Sequence, residues 1–390
     1  PGANDFFVQQ MTRLGIGYDL SPDVNFYMEL IASSVWGGNG DPNNAGNGGD
    51  PLNHSGGTTA GRNFLGVRAA YVLVRNLAGV QGLSMKAGRQ YIVFGNHSIF
   101  GHFDWANTGY SHDGVMFNYN ANKNWETWFG WFRNSETDLA QGSAVGSAAG
   151  NVAGGAGGGA AGCGAAGATG CANGGGDADM FIFYNQIKSV PGWLIEPYYI
   201  YYRNNLQESA NGAQGLGTAK HSQQSRHHFG LRSEMRKGNW DFINETGYQG
   251  GTMADAIGTD NNRNLTINAW ATRNWLGYTM YENKWKPRFA IGLDYASGDG
   301  NANCNNGAAG RCSTANTFEN FFPTNHIHMG YMDVQAWKNM ISPQFNFQAR
   351  PSAVDHIEFW YSHLRLANAR DNWYRGSQGA YVFSNQNNTS

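Results

Sequence analysis

The chain is poor in charge. Lysine, arginine, aspartate and glutamate make up 14% of its 390 residues, against about 25% in a soluble globular domain. Too few ionised groups are present to wet a full protein surface. Neither sign dominates: the formal net charge is −2, without the basic excess of a nucleic-acid binder. Apolar runs such as Tyr71–Val74 and Tyr198–Tyr202 fall far below the roughly 18 residues of a membrane-spanning helix. Amphipathic helical stripes are almost missing too. There is no G-x-S-x-G elbow, no H-E-x-x-H helix and no glycine loop ending in Lys-Ser/Thr. Binding without chemistry is therefore expected rather than an enzyme. The chain starts at Pro1 with no charged-then-apolar leader, so any export signal is expected to have been removed or left out.

Cysteine is scarce. Its four copies fall as Cys163/Cys171 and Cys304/Cys312, each pair separated by seven residues. No histidine or acidic ligand set lies near either pair, which favours two local disulfides in an oxidising compartment over zinc. No cofactor is required. Asp294 and Asp299 beside the Gly/Asn-rich loop 297–307 leave open a Ca²⁺ site, without the spacing of a regular calcium loop.

What abounds is glycine, with 55 residues, and aromatics, with 13 Trp, 19 Tyr and 22 Phe. That load excludes disorder. Period-two alternation runs through the chain: Phe26, Met28, Leu30 and Ala32 against Tyr27, Glu29, Ile31 and Ser33, and Phe289, Ile291, Leu293 and Tyr295 against Arg288, Ala290, Gly292 and Asp294. Strands are expected near 6–20, 24–36, 63–76, 83–95, 113–120, 124–134 and 178–188. They continue near 193–203, 225–236, 239–249, 265–278, 284–296, 342–350 and 354–366. Tight turns at 21–23, 120–123, 190–192 and 237–238 alternate with long Gly/Asn-rich loops at 37–62, 135–177, 204–223, 250–263, 297–325 and 367–376.

Short turns at one end and long loops at the other mark an up-and-down antiparallel sheet with unequal ends, the pattern of an outer-membrane β-barrel. Low charge follows from an outer face in hydrocarbon. Surplus Trp and Tyr suit girdles at the two interfaces. The expected fold is all-β: one transmembrane barrel domain over 1–390, with a Gly/Ala-rich insertion at about 135–177. That insertion either folds into the pore or stays outside as a loop of no fixed role.

Two blocks carry a family resemblance. One runs Gly88-Arg89-Gln90-Tyr91-Ile92-Val93-Phe94-Gly95, then Phe103-Asp104-Trp105-Ala106-Asn107-Thr108-Gly109 and His112-Asp113-Gly114-Val115. The other runs Tyr295-Ala296-Ser297-Gly298-Asp299, then from Phe321-Phe322-Pro323-Thr324-Asn325-His326 to Asp333. Together they resemble the alginate-export family of outer-membrane porins. The resemblance implies a monomeric-pore barrel of about 16–18 strands in the outer membrane, with the short turns at the periplasmic end and the long loops outside, that passes a polar or anionic solute. The family pattern has an acid and then an Arg where Asn96, His97 and Ser98 stand, and an Arg at the place of Tyr110 and a Phe at that of His112. Loss of those basic positions argues against a polyuronate, so the resemblance is read as a fold and a transport class.

With the apolar face toward lipid, the other face lines the lumen. Arg13, Glu29, Arg68, Lys86, Glu126, Glu196, Arg232, Glu234, Asp241, Glu245, Arg288, Asp294 and Arg350 are assigned there. Strict alternation puts Arg89 outward; a bulge at Gly88 is expected to return it to the lumen, because Arg at the bilayer midplane costs about 2–4 kcal/mol. Basic and acidic groups either occupy opposite walls and select by charge, or pair with each other and brace the wall. His326 and His328 share a face if extended, which invites a metal reading, but the resemblance puts them in a loop block and favours hydrogen bonding. His227 and His228 point to opposite faces.

The expected function is a porin of the bacterial outer membrane that passes small polar or charged, mainly anionic, solutes. Its partners would be the bilayer, lipopolysaccharide and the solute, with no nucleic acid, as a monomer or homotrimer. The alternatives are a secreted soluble β-protein that binds carbohydrate and a barrel that sheathes a partner protein. The polar run from Ser384 to Ser390 is an unusual end for a barrel. Either closing strands lie outside this sequence or 321–341 contributes strands of its own.

Overall fold

The computed structural model describes residues 8–36, 63–104, 109–135, 178–204, 224–254, 264–300, 313–374 and 380–382. The first half of the sheet holds β1 (Val8–Ser21), β2 (Val24–Trp36), β3 (Asn63–Val74), β4 (Leu83–Gln90), β5 (His112–Asn122), β6 (Trp125–Ser135) and β7 (Ala178–Val190). The second half holds β8 (Trp193–Asn204), β9 (Gln224–Lys237), β10 (Trp240–Ala254), β11 (Asn264–Thr279) and β12 (Arg288–Ala296). A two-residue strand, β13 (Thr314–Ala315), then adds a parallel pairing to β11. The wall resumes with β14 (Met340–Ala349) and β15 (Ile357–Ser362). Each wall strand pairs antiparallel with the one before it, so the order is up-and-down throughout. β16 (Trp373–Tyr374) and β17 (Ala380–Val382) form a separate pair. Among the described residues no ladder joins β1 to β15.

Turn chemistry sets the register at one end. Two-residue turns follow β1, β5, β7 and β9, and Gly192 and Gly238 supply the left-handed φ of 75° and 58° that the last two need. At the first turn the Ser21 hydroxyl accepts the backbone N–H groups of Asp23 and Val24. The other end carries the long joins, as the sequence implies.

The two faces of the sheet differ in chemistry. Leu14, Ile16, Phe26, Phe129, Phe183, Phe229, Phe289, Ile291, Leu293, Phe345 and Phe359 lie exposed on one face. Glu29, Glu196, Arg232, Glu245, Gln249, Arg273 and Asp294 lie buried on the other. Trp125, Trp193 and Trp240 open β6, β8 and β10 directly after tight turns and stay 40% to 52% exposed, forming a row at that edge. Arg13 of β1, Tyr184 of β7 and Arg273 of β11 all reach one inward segment, residues 91–104. The sheet therefore curls around that segment as a barrel wall, apolar side out. This overturns the soluble alternative, in which the Phe, Leu and Ile rows would meet in a dry centre.

Two expectations about the wall need correction. β4 ends at Gln90 rather than at 95. At Gly95 the chain adopts a φ of 55° and turns back, with Phe94 N–H donating to the Phe100 carbonyl and His97 N–H to that of Phe94. Residues 321–341, in turn, add no wall strand up to Asn339. They hold a bridge at Phe322 and one helical turn, α1 (His326–Met329), and their buried side chains lie inside. Apolar residues there pack on the lumen core rather than alternating across a sheet.

Candidate functional site: a plugged lumen with interleaved charges

Two long joins enter the barrel and pack on each other. Residues 91–111 connect β4 to β5, and 313–339 precede β14. Their backbones run together: Gly101 N–H donates to the Phe322 carbonyl, Phe322 N–H to that of Ile99, and Thr324 N–H to that of His97. Phe100 stacks on Phe321 and Phe322. Against the wall, Phe94 stacks on Tyr184 at 4.2 Å, and Tyr184, Tyr198 and His228 continue the stack from β7 to β9. Phe318, Phe321, Phe322, Met329 and Trp337 complete this core. The plug is thus bound to β6–β12 through aromatic burial.

Its other edge meets β1–β4 through charge. Asp104 accepts from Arg13 Nη1 at 3.0 Å and from Arg68 Nη2 at 2.7 Å. Tyr91 donates to Glu29 Oε1 at 2.5 Å, and Tyr27 donates to the other oxygen of the same carboxylate at 2.8 Å. Arg68 also covers the Tyr91 ring and donates to the His102 carbonyl. Lys86 Nζ sits 4.0 Å from the centre of the Tyr71 ring. Arg13 and Asp104 keep 27% and 35% of their side-chain surface open, so water reaches this edge. Burial alone would raise the Asp104 carboxyl, but the Arg13 hydrogen bond and the charges of His102, Arg13 and Arg68 outweigh it and hold the group below the usual carboxylate range. Burial, and then its Glu29 hydrogen bond, push the Tyr91 phenol up.

Beneath the plug the charges are dry. Arg232 pairs with Glu196 and, at 3.0 Å, with Glu234. Tyr198 donates to Glu245 at 2.9 Å. Arg273 binds Asp294 at 3.0 Å, donates to Ser98 of the plug at 2.6 Å and lies over the Trp337 ring. Gln344 adds a bond to Asp294 at 2.8 Å. His328 Nε2 meets the Asn96 carbonyl at 2.7 Å. Burial and the nearby Arg273 hold His328 well below the usual histidine value; burial and His102 lower His97 as well. Both rings are therefore neutral near pH 7.

The lumen thus receives most of the charges assigned to it from sequence, in mixed-sign groups rather than on opposite walls. Arg13, Glu29 and Arg68 meet at the plug edge with Lys86 close by. Glu196, Arg232, Glu234, Glu245 and Asp294 lie beneath it. Arg288 grips Asp241 with two bonds of 2.9 and 2.6 Å, and Glu126 takes Asn118 at 3.0 Å and lies 3.6 Å from Lys188.

Arg89 is a correction. The β3–β4 and β4–β5 registers run through Gly88 without a shift, Gln90 is buried, and Arg89 stays exposed on the outward side. It forms two bonds with Asp113 near the loop end of β4, where a paired charge at the membrane edge costs little. The bulge lies in β3 instead, where the register shifts so that Arg68 and Ala69 are both buried. Arg350 is exposed in the β14–β15 join. Asp294 is held by Arg273, and Asp299 accepts from Asn316 N–H, so each carboxylate already has a partner within the chain. His326 and His328 occur on α1, not on a strand.

The two disulfides expected from spacing have no counterpart among the described residues. Cys163 and Cys171 fall in the Gly/Ala-rich insertion, and Cys304 and Cys312 in the join after β12; all four lie outside the described residues, as does the insertion from 136 to 177. Neither the Cys163–Cys171 nor the Cys304–Cys312 pairing is therefore part of the structure described.

Sequence reasoning missed Arg273, Tyr91, Asp104 and the buried Lys338–Glu319 pair at 2.6 Å. Arg273 shares its inward parity with Ala269 and Ala271 and was accessible to the same reasoning. The plug residues carry no alternation to announce them.

Comparison with known proteins fits this architecture. A family profile described as alginate export matches residues 177–390. No curated protein sequence matches. Among solved structures, OmpT of Vibrio cholerae is 11% identical at a TM-score of 0.43, covering 97% of this chain and 91% of its own. The outer-membrane channel DcaP of Acinetobacter baumannii is 11% identical at 0.40, covering 90% and 78%. A BenF-like porin from Pseudomonas fluorescens is 10% identical at 0.40, covering 92% and 86%. The assignment rests on the family match over more than half of the chain, together with the outward apolar and inward polar faces. The chain belongs to the alginate export family and is a channel protein of the bacterial outer membrane.

Proposed function

We infer that the conducting path runs between the Tyr91–Asp104 edge of the plug and strands β1–β4, and that it passes small polar solutes by diffusion with a preference for anions. The observation that carries this reading is the half-open charge cluster at that edge. Arg13 and Arg68 pair with Glu29 and Asp104, and Lys86, on the strand next to that of Arg68, adds one positive charge. Among the described residues no carboxylate pairs with Lys86; its ammonium rests on the Tyr71 ring. A cation free of an acidic partner beside a water-reached gap attracts anions at low dielectric.

A small solute fits this reading better than a polyuronate chain. The plug crosses the lumen, Tyr110 is uncharged where the family resemblance implies an Arg, and no Arg stands among Asn96, His97 and Ser98. Lipopolysaccharide is the expected neighbour of the apolar rows at the loop end.

Planar-bilayer recording tests this directly. In a tenfold KCl gradient the wild-type reversal potential should have the sign of an anion-preferring pore, and Lys86→Gln should move it toward zero or into the cation-preferring range. An identical reversal potential in both proteins removes Lys86 from the path. A cation-preferring wild type removes the anion reading.

A further inference from the structure

The outward face is largely apolar between its edges. It carries the Arg89–Asp113 and Arg133–Asp179 ion pairs and the Thr127–Asn185 pair, whose Asn185 is bonded to Trp125 and to the Pro197 carbonyl. It also carries one uncharged cluster on β10 and β11 that keeps unmet polar atoms. On β12 the outward row reads Phe289, Ile291, Leu293, and β1 and β2 offer Leu14, Ile16, Phe26 and Met28, all exposed. On β10 the row reads Trp240, Phe242, Asn244, Thr246, Tyr248. On β11 it reads Trp270, Thr272, Asn274, Leu276, Tyr278. Asn244 stands opposite Asn274 and Thr246 opposite Thr272. The four side chains are hydrogen-bonded together: Asn244 Nδ2 donates to Asn274 Oδ1 at 2.7 Å and to Thr246 Oγ1 at 3.2 Å, Asn274 Nδ2 donates to Thr272 Oγ1 at 3.0 Å, and the two hydroxyls are 2.8 Å apart. Ser233 of β9 stands across from Asn244 and widens the patch.

Its depth makes it unusual. Trp240 packs on Tyr278 at the turn end, while Tyr248 and Trp270 mark the loop end. Eight residues separate Trp240 from Tyr248, or about 20 Å along the membrane normal once strand tilt is allowed for. The polar group therefore sits between the two aromatic levels, at hydrocarbon depth. Its internal bonds leave Asn244 Oδ1 and one N–H of the Asn274 amide over, and neither acyl chains nor head groups satisfy them there.

We propose that this patch is the face at which a second copy of this chain docks within the membrane, in a twofold dimer. The patch is uncharged and carries both a spare acceptor and a spare donor, so it complements itself. Two copies inserted in the same direction place it at the same depth, and a twofold axis along the membrane normal reverses the lateral order of β10 and β11. Asn244 of one copy then faces the partner's Asn274. The contact is isologous and closes at two. Short Asn and Thr side chains allow the two walls to approach closely.

Single-molecule photobleaching in liposomes at low protein density counts the copies, and two bleaching steps are expected. The variant N244L/T246V/T272V/N274L makes the patch apolar and should raise the dimer dissociation constant at least tenfold, with heat-modifiable gel migration confirming a folded barrel. In the otherwise native chain, a benzophenone amino acid at position 246 should cross-link to a second copy and one at 291 should not. One or three steps for the native protein, a dimer unaffected in the folded apolar variant, or cross-linking from 291 but not from 246 overturns the proposal.

Discussion

At the scale of single residues, the lumen is held together by charges that cannot be removed one at a time. Glu196 is fully buried; it takes Arg232 on one side and the Gln186 amide at 2.8 Å on the other. Glu196→Ala leaves the Arg232 guanidinium without its buried partner, at a cost of about 3 kcal/mol. Glu234 is more open to water, and Glu234→Ala should cost less than about 1 kcal/mol. Urea midpoints read by heat-modifiable migration compare the two. Equal midpoints would place Glu196 outside the group that holds this seam.

Individual residues were only partly legible in the sequence. Parity on a strand gives the side of a residue but not its depth. That is why Glu196, Arg232 and Asp294 were assignable to the lumen while Arg89 was misplaced. The cost that argued for moving Arg89 inward applies at the midplane, and Asp113 neutralises it near the edge. Arg68 reaches the lumen through a bulge whose position no turn residue marks.

The element that most shapes the channel is the two-part plug. The plug carries groups on both its sides whose ionisation responds to pH. His97 faces His102 and Asp104; His328 faces Arg273, Arg232, His97 and the Asn96 carbonyl. Both rings have lowered values, so folding holds them neutral. Their contribution is complete above the ordinary histidine value of about 6.5 and weakens as pH falls below it. Asp104 is depressed as well, so its tie to Arg13 and Arg68 is complete above about pH 4 and is lost as pH falls through its own lower value. All three push the same way. Single-channel records should show longer or larger openings at pH 4.5 than at pH 7.5, and His328→Gln should reduce that difference. The Asp104 tie is unchanged over this range, so openings that do not differ between these pH values would remove the two histidines from the hold on the plug.

The wall strands were legible because alternation, turn residues and loop lengths agree, and most ends match within a few residues. The plug was not. Residues 91–95 continue the strand pattern in sequence, and only the left-handed backbone at Gly95 and the meeting with Thr324 and Phe322 turn them inward. That meeting joins segments more than two hundred residues apart, which no local pattern encodes. The blocks that carried the family resemblance are the same two segments, so the resemblance located the plug without revealing that it folds inside.

At the scale of the whole molecule, low charge, abundant aromatics and negligible helix have one cause: the outer surface meets lipid and the inner surface meets water and the plug. Trp125, Trp193 and Trp240 at the tight-turn edge, the Phe and Leu rows between the edges, and the buried Glu, Arg and Gln within are three consequences of that division. The Asn–Thr patch on β10 and β11 departs from that division with polar atoms left unmet between the aromatic levels, and that departure is what points to a second copy.

The alternation on β12 tests the division most directly. A nitroxide amino acid introduced at positions 289, 290, 291, 292 and 293 in turn, in protein reconstituted into liposomes, reports collisions with oxygen and with a water-soluble nickel complex. Positions 289, 291 and 293 should collide strongly with oxygen and weakly with nickel, with 290 and 292 showing low oxygen accessibility. A reversed pattern, or five equal values, would contradict an apolar face turned toward the acyl chains.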